Sequence, residues 1–359
     1  MSIHPYRNKP NYNFWSRSVA GIDPGEVDPV VKGEFQISQS DKVATAGSCF
    51  AQHIARKLAL NGFNYFVSEK AHPITSPDLI STYNYGTYSA RYGNIYTSRQ
   101  LLQLILRVFG EFTPKDDIWQ DERGNLIDPF RPQIQPNGFI TENEYKADRT
   151  QHFEKVRRMF TELDIFIFTL GMTECWVSKE DGAAYPVCPG VSGGTFDENK
   201  HKLVNLSIDE VNLDMLAFID KLRLINPKAK VILTVSPVPL VATAEDRHVL
   251  VSNTYSKSVL RVAAEFISKS CSNVAYFPSY EIITGNFSRC SYFDKDLRSI
   301  TETGVNHVMR LFLKYYAGVL TTISEQVVNS EINSDDSHVL TMTNLVKVNC
   351  EEVALDYKL

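Results

Sequence analysis

The sequence has no long apolar run and no strong excess of either charge. Its 359 residues contain no stretch near the roughly 18 apolar residues that a membrane-spanning helix needs, so we expect no span. With 37 basic against 42 acidic residues and no Lys/Arg block, nothing indicates a nucleic-acid partner. The polar and aromatic segment at residues 1–21 lacks the apolar core of a secretory signal, so we expect a cytoplasmic protein.

Metal-binding and nucleotide-binding motifs are also missing. The six cysteines form no CxxC or CxxH pair, which argues against a zinc site and, in a cytosolic chain, against a disulfide framework. Neither GxGxxG nor GxxxxGK[ST] follows an apolar run, so a nucleotide site is not expected. We therefore expect no metal and no cofactor, except an acyl-CoA donor if the protein is a transferase. Oligomeric state is not readable from this sequence.

Short apolar segments alternate with helical patterns along the chain. The apolar segments predict buried parallel strands, and the intervening helices imply βαβ crossovers within one open α/β sheet. Ser207 and Glu210 form a capping-box pattern that opens the helix before the third strand, and Asn226-Pro227 ends it. The predicted strands are residues 42–46, 164–170, 230–236 and 273–277.

The domain organisation follows from where this alternation holds and where it fails. We predict a single domain over residues 1–328, with turn-rich insertions near 109–150 and 181–201. Residues 329–359 are predicted to be a C-terminal arm or an added strand.

Ser48 occupies the position where open α/β sheets place their ligands. It follows the first predicted strand after Gly47, which permits a sharp turn, and it precedes a helix whose amino terminus favours a nearby anion. These features suit a nucleophile, but a serine before a helix is equally typical of a plain N-cap. Cys49 is a further alternative, because a thiol beside a helix amino terminus can act as the nucleophile itself.

The residues Gly-Ser-Cys-Phe-Ala at 47–51 spell the signature of the GSCFA family, and the chain resembles this branch of the SGNH/GDSL-like hydrolases. The likeness extends over roughly residues 40–315, because four further blocks follow in the family's order, which is more specific than any one block. These blocks are YGNIY at 92–96, FTLGMTE at 168–174, VSPV at 235–238 and YFPSYE at 276–281.

This resemblance implies a flavodoxin-like three-layer α/β/α sandwich in which Ser48 is the nucleophile. Its own backbone N–H would belong to the oxyanion hole, Gly93 would supply a second donor, and the amide of Asn94 would assist. Gly171 occupies the turn of the third block, where Thr173 or Glu174 stands in place of the Asn that many SGNH enzymes carry. Because a carboxylate repels an oxyanion, Glu174 would instead orient a base or bind substrate, or be a solvated residue.

The catalytic base that the resemblance implies is missing. SGNH enzymes hold it in an Asp-x-x-His element near the carboxyl end, where Asp orients the His that takes the serine's proton. Here the residue three positions after Asp294 is Leu297, and the residue three positions after Asp296 is Ser299. Another base must serve, because a serine without a base is a weak nucleophile.

Two histidines are candidates for that base. His248 is the first choice, since it ends the loop after the third strand and follows two acidic residues that could orient it. His307 is the second choice; it lies in a helix that Ser299 and Glu302 are predicted to cap, away from the apolar face. Asp296 would still orient a base, and Arg298 would pair with Asp296 or bind an anionic substrate group.

The sequence supports three candidate functions. The first is a serine esterase or O-acyltransferase acting on acyl esters, above all acetyl esters, of a small molecule, a glycan or a glycan precursor, through an acyl-serine intermediate. The second is a carbohydrate- or ligand-binding descendant that kept the fold and lost its base. The third is a thiol enzyme that uses Cys49 as its nucleophile.

Overall fold

The predicted apolar segments form one parallel sheet in a computed structural model of the chain, which describes residues 4–318. The strands are β1 (Val43–Gly47), β2 (Trp119–Gln120), β3 (Leu126–Ile127), β4 (Ile165–Leu170), β5 (Glu174–Ser178), β6 (Ala184–Tyr185), β7 (His201–Asn205), β8 (Lys230–Val235) and β9 (Val274–Tyr276). The helices are α1 (Trp15–Ser18), α2 (Phe50–Leu60), α3 (Pro77–Thr82), α4 (Ser98–Val108), α5 (Glu142–Glu162), α6 (Ile208–Ile225), α7 (Val249–Ser270), α8 (Ser279–Thr284) and α9 (Glu302–Tyr316).

The chain divides into two compact units, which are described separately below. The sheet unit spans Ser38–Tyr276, and the terminal unit combines residues 4–37 with residues 277–318. The predicted single domain over residues 1–328 stays a prediction. The predicted arm or strand at residues 329–359 lies outside the described residues.

The core of the sheet unit is the parallel sheet with strand order β1-β4-β8-β9, flanked by helices. Its central strand, β4, reads Ile-Phe-Ile-Phe-Thr-Leu and is buried throughout, as expected for a strand covered on both faces. Parallel pairing aligns Gly47 with Thr169 and Leu170 with Val235. The carboxyl ends of the three strands therefore meet at one edge, and the predicted α/β/α class is confirmed.

A second sheet was not predicted from the sequence. Strands β6, β5 and β7 pair antiparallel within the sheet unit, so part of the expected insertion near 181–201 is regular structure. The other expected insertion contains the short β2–β3 hairpin before α5 begins at Glu142. Strands of two to five residues leave too short an alternating pattern to be recognised in a sequence.

The N-cap predicted for α6 is present in the structure, whereas the N-cap predicted for α9 is not. Ser207 and Glu210 form the predicted capping box at the start of α6. By contrast, α9 is capped by Thr301, whose hydroxyl accepts a hydrogen bond from the N–H of Gly304. The predicted cap by Ser299 is wrong, because the Ser299 hydroxyl donates to Asp296 instead.

A cluster of buried charges ties the loops beside the sheet to helix α5. The Glu69 carboxylate accepts hydrogen bonds from the backbone N–H of Arg91 at 2.7 Å and from Nδ1 of His152 at 2.7 Å. Because unpaired buried charge is costly, the ion pairs within the cluster compensate one another. Its members are Glu69, Arg91, Asp128, Arg131, Asp148 and His152.

These contacts keep Glu69 ionised. Burial alone would raise the pKa of its carboxyl, but the charge and hydrogen bond of His152, the Arg131 charge and the Arg91 N–H together lower that pKa from 4.5 to about 2. Burial and the nearby Arg131 charge lower the pKa of His152, and the Glu69 carboxylate opposes that shift. The stability that Glu69 contributes is therefore fully present above pH 4.5 and is lost as the pH falls towards about 2.

We expect Glu69→Gln to lower the free energy of unfolding at pH 7 by about 3–5 kcal/mol, because it leaves buried cationic partners uncompensated. Urea unfolding at a series of pH values measures this. The variant should also lose stability less steeply than the parent protein in the acid range. Glu142→Gln, which changes a largely exposed glutamate on α5, is the matched control and should behave like the parent protein. Equal acid sensitivity of Glu69→Gln and the parent would contradict the assignment.

Candidate functional site

Ser48 lies directly after β1, at the edge of the sheet where parallel strands end. The preceding Gly47 has φ +138°, and a Cβ there would meet the Thr169 carbonyl oxygen at 2.4 Å, so only glycine fits. The Ser48 N–H donates to that same carbonyl at 3.3 Å. The Ser48 residue is 4% exposed, and none of the described residues hydrogen-bonds to its Oγ. A buried hydroxyl without a partner is energetically unfavourable, which marks this position as a candidate site.

The prediction that Ser48 is a plain N-cap is wrong. Helix α2 begins at Phe50 with Cys49 in the N-cap position, and no side chain there makes a capping hydrogen bond. Cys49 is buried and lines the same cavity as Ser48, so the alternative of a thiol nucleophile stays a prediction.

A small cavity surrounds Ser48, which we call the Ser48 cavity. Its volume is about 10 Å³, room for about one water molecule. Three of its residues, Ser48, Gly171 and Ser236, directly follow the neighbouring strands β1, β4 and β8. The full lining is Ser48, Cys49, Tyr96, Gly171, Met172, Ser236, Val238, Pro239, Leu240 and Lys257.

Gly171 allows the polypeptide to pass close to Ser48. A Cβ at Gly171 would lie 3.1 Å from the Ser48 Cβ and 3.0 Å from the Tyr96 carbonyl oxygen. The N–H groups of Gly171 and Met172 both donate to that Tyr96 carbonyl, at 2.9 and 3.1 Å. Gly171 thus lies beside Ser48, but these two N–H groups are already engaged, and the predicted role of Gly171 in binding an oxyanion or substrate stays a prediction.

Gly93 and Asn94, the other predicted oxyanion donors, are not among the residues that line the Ser48 cavity. Gly93 occupies a left-handed turn with φ +73°. The side-chain oxygen of Asn94 accepts a hydrogen bond from Gln52 at 3.1 Å, and Asn94 lines a separate cavity beside Arg107. Their predicted contribution to an oxyanion hole stays a prediction.

Thr173 and Glu174 have different surroundings. Thr173 is fully buried, and its hydroxyl donates to the Asn205 side chain at 2.6 Å, so it supports the turn after β4. Glu174 is buried and accepts a 2.7 Å hydrogen bond from the Thr243 hydroxyl and a longer one from the N–H of Ala244. Burial raises the pKa of Glu174, although the bond from Thr243 opposes this shift.

Lys257 is the residue of the Ser48 cavity that sequence reasoning missed. It is buried on α7, and its Nζ donates to the Gly171 carbonyl oxygen at 2.6 Å. The neighbouring Ser256 hydroxyl accepts a 2.9 Å hydrogen bond from the N–H of Thr173. The signal was present in the sequence, because Lys257 falls on the apolar face of α7 together with Leu260 and Ala264.

His248, the first-choice base, is the N-cap residue of α7. Its side chain is exposed, and its Nδ1 accepts a 3.1 Å hydrogen bond from the N–H of Leu250. His248 is not among the described residues that line the Ser48 cavity. Its catalytic role stays a prediction.

The remaining predicted residues belong to the terminal unit. Asp296 accepts hydrogen bonds from the N–H groups of Arg298 and Ser299, both at 2.9 Å, and from the Ser299 hydroxyl at 2.6 Å. Asp296 therefore orders the turn that carries Arg298. Catalytic roles for these two residues stay predictions.

His307 is buried in the terminal unit, and the prediction that it lies off the core is wrong. Its Nε2 lies 2.9 Å from the Val27 carbonyl oxygen, and its Nδ1 lies 2.8 Å from the Tyr292 hydroxyl. A carbonyl only accepts, so Nε2 carries the proton. Burial, together with the nearby Arg310, lowers the pKa of His307. Both ring nitrogens are thus committed to structural contacts.

A large apolar pocket adjoins the Ser48 cavity, and we call it the Trp176 pocket. Its volume is about 820 Å³, within the range of small-molecule sites. Met172 and Leu240 line both the pocket and the Ser48 cavity. The remaining lining is Glu122, Glu174, Cys175, Trp176, Pro186, Val187, Cys188, Pro189, Gly190, Val191, Phe196, Leu203, Val241, Ala242, Thr243 and Ala244.

No group of three or more His, Cys, Asp or Glu residues within residues 4–318 is arranged to hold a metal ion. No helix in the same range is both long and apolar enough to cross a membrane.

Comparison with known protein families identifies the GSCFA family. The sequence profile of the GSCFA family matches residues 42–312, which include the Ser48 cavity and the Trp176 pocket. No curated protein matches the chain significantly.

We expect Ser256→Ala to lower the free energy of unfolding by about 1–3 kcal/mol, because it leaves the buried N–H of Thr173 without an acceptor. Chemical denaturation measures this change. Ser258→Ala, on the same helix but exposed, is the matched control and should change stability by less than about 0.5 kcal/mol. Equal effects of the two substitutions would show that the contact between α7 and the turn after β4 contributes little.

Proposed function

The chain belongs to the GSCFA family, and we propose that it is a serine-dependent acyl-ester hydrolase or O-acyltransferase with Ser48 as its nucleophile. One observation carries this proposal: the Oγ of Ser48 is buried, has no hydrogen-bond partner among residues 4–318, and borders a cavity at the carboxyl ends of parallel strands. The resemblance of the GSCFA blocks to SGNH hydrolases supports the same chemistry.

Lys257 is the base that this proposal favours. Of the described residues that line the Ser48 cavity, it alone carries a basic side chain, and its bond to the Gly171 carbonyl holds the amine beside the serine turn. A neutral amine can donate to that carbonyl and still offer a lone pair to a proton. Lysine serves as a general base where it is held out of water.

The reaction then proceeds in two steps. The Ser48 oxygen forms a bond to the ester carbonyl carbon while its proton moves to the Lys257 amine. When the tetrahedral intermediate collapses, the bond to the leaving alcohol breaks, and the Lys257 ammonium returns the proton to that alcohol. Water or an acceptor hydroxyl then attacks the acyl carbon of the acyl-serine, with Lys257 again taking the proton. The bond between the acyl carbon and the Ser48 oxygen breaks, and the Lys257 ammonium returns the proton to Ser48. The acceptor decides between hydrolase and transferase.

Helix α2 supports charge development at this place. Helix α2 begins at Phe50, two residues after Ser48, and the dipole of a helix stabilises developing negative charge at its amino terminus. The N–H groups of Ala51 and Gln52 in its first turn already donate to the carbonyls of Ser48 and Cys49. The Ser48 N–H, predicted to serve the oxyanion, is directed at Thr169. The dipole of α2 is therefore the better candidate for this role.

A ligand-binding protein without catalysis is the second candidate function. It is favoured by the absence of histidine from the Ser48 cavity as described and from the Asp296-x-x-Ser299 element. In this alternative the Trp176 pocket binds a ligand, and Ser48 undergoes no acylation.

We expect Ser48→Ala to lower the hydrolysis of p-nitrophenyl esters to the background rate, because the substitution removes the attacking oxygen. Steady-state kinetics with purified protein measures this. Ser258→Ala is the matched control and should retain full activity, and Cys49→Ala tests the thiol alternative. Ester hydrolysis that survives Ser48→Ala would contradict the proposal, and its loss in Cys49→Ala alone would favour the thiol.

We expect Lys257→Met to lower kcat by about 10²–10⁴-fold, the usual contribution of a general base. His248→Ala and Lys269→Met, an exposed lysine on the same helix, are the matched controls. A large loss in His248→Ala with a small one in Lys257→Met would assign the base to His248.

A further inference from the structure

The Trp176 pocket differs in character from the Ser48 cavity beside it. The side chains of Trp176 and Leu203 pair across β5 and β7 and therefore lie on the same face of the antiparallel sheet. Phe196 closes against Trp176, with ring centroids 5.2 Å apart and planes at 79°. Phe196 is 45% exposed, so this aromatic pair borders solvent on one side and the pocket on the other.

The charge of the pocket restricts its ligand. None of its lining residues is Lys, Arg or His, whereas Glu122 and Glu174 are acidic. Burial raises the pKa of Glu174, and its oxygens accept from Thr243 and Ala244, so the carboxyl is already engaged. A phosphate or carboxylate would find no cationic partner here. An uncharged apolar group fits the lining instead.

The position of the pocket relates it to Ser48. Met172 directly follows Gly171, whose backbone touches the serine turn, and Met172 lines both the pocket and the Ser48 cavity. Leu240 does the same from the segment after β8. A group bonded to the Ser48 oxygen therefore has an apolar region next to it that is far larger than an acetyl group requires.

We infer that the Trp176 pocket binds the acyl group of the substrate, and that this acyl group is uncharged, apolar and longer than acetyl, of medium-chain or aromatic type. The inference rests on the proposed function, since an acyl pocket needs an acyl-serine. It replaces the acetyl group expected from the sequence with a bulkier one.

The binding experiment uses the full-length Ser48→Ala protein, so that it does not depend on catalysis. The probe is N-phenyl-1-naphthylamine, an uncharged apolar fluorophore, and methyl octanoate is the competitor. We expect Phe196→Glu and Trp176→Ala, each added to Ser48→Ala, to weaken probe binding at least tenfold. Phe266→Glu is the matched control, because this phenylalanine is 47% exposed on α7 and lies outside the pocket lining. Equal binding by all these proteins would overturn the inference.

A charged analogue tests the electrostatic part. 1-Anilinonaphthalene-8-sulfonate has the same ring system with a negative charge, and we expect it to bind at least tenfold more weakly than the neutral probe. Equal, Phe196-dependent binding of both probes would overturn the assignment to an uncharged group.

Kinetics with p-nitrophenyl acetate, butyrate and octanoate tests the link to Ser48, because only the acyl group varies. We expect kcat/KM to be at least tenfold higher for octanoate than for acetate. Phe196→Glu should reduce this preference for octanoate, whereas Phe266→Glu should preserve it. A preference for acetate would overturn the inference and leave the proposed function standing. Probe binding that depends on Phe196 without any ester hydrolysis would mean that the proposed function, and with it the acyl assignment, has failed.

Discussion

The candidate site depends on the close approach of two backbone segments at the carboxyl ends of β1 and β4. Gly47 lies against the Thr169 carbonyl where any side chain would collide, and Gly171 lies close to Ser48 and Tyr96, where a Cβ would make unusually tight contacts of 3.1 and 3.0 Å. Together these two glycines bring the turn after β1 and the turn after β4 into contact. Ser48 is thereby held in a buried position where no described residue satisfies its hydroxyl.

Helix α7 completes this arrangement through two hydrogen bonds to the turn after β4. Ser256 accepts from the N–H of Thr173, and Lys257 donates to the carbonyl of Gly171, so two consecutive residues of one helix hold two groups of one turn. The same turn continues through Met172 to Glu174, both of which line the Trp176 pocket. The serine, the buried amine and the apolar pocket are therefore parts of one connected structure.

Much of the sheet could be predicted from the sequence, because a strand buried on both faces consists of a nearly continuous run of apolar residues. Contacts between segments that are distant in the sequence could not be predicted in this way. Lys257 reaches a carbonyl 86 positions away, and His307 is buried through a carbonyl 280 positions away. The N-cap of α9 could not be assigned from the sequence either, because Ser299 and Thr301 are both residue types that favour this position. In the structure the Ser299 hydroxyl donates to Asp296, and Thr301 is the N-cap. Ser48 was identified from its strand-end position, whereas its surroundings required the structure.

The central claim is that Ser48 becomes covalently acylated, and active-site labelling tests it most directly. The protein would be treated with a fluorophosphonate, and the adduct would be located by mass spectrometry of its peptides. We expect one adduct on the peptide that contains Ser48, and slower labelling of Lys257→Met because the hydroxyl loses its proton acceptor. A folded protein that forms no adduct, or forms it on Cys49 or another residue, would contradict the assignment of Ser48 as the acylated nucleophile.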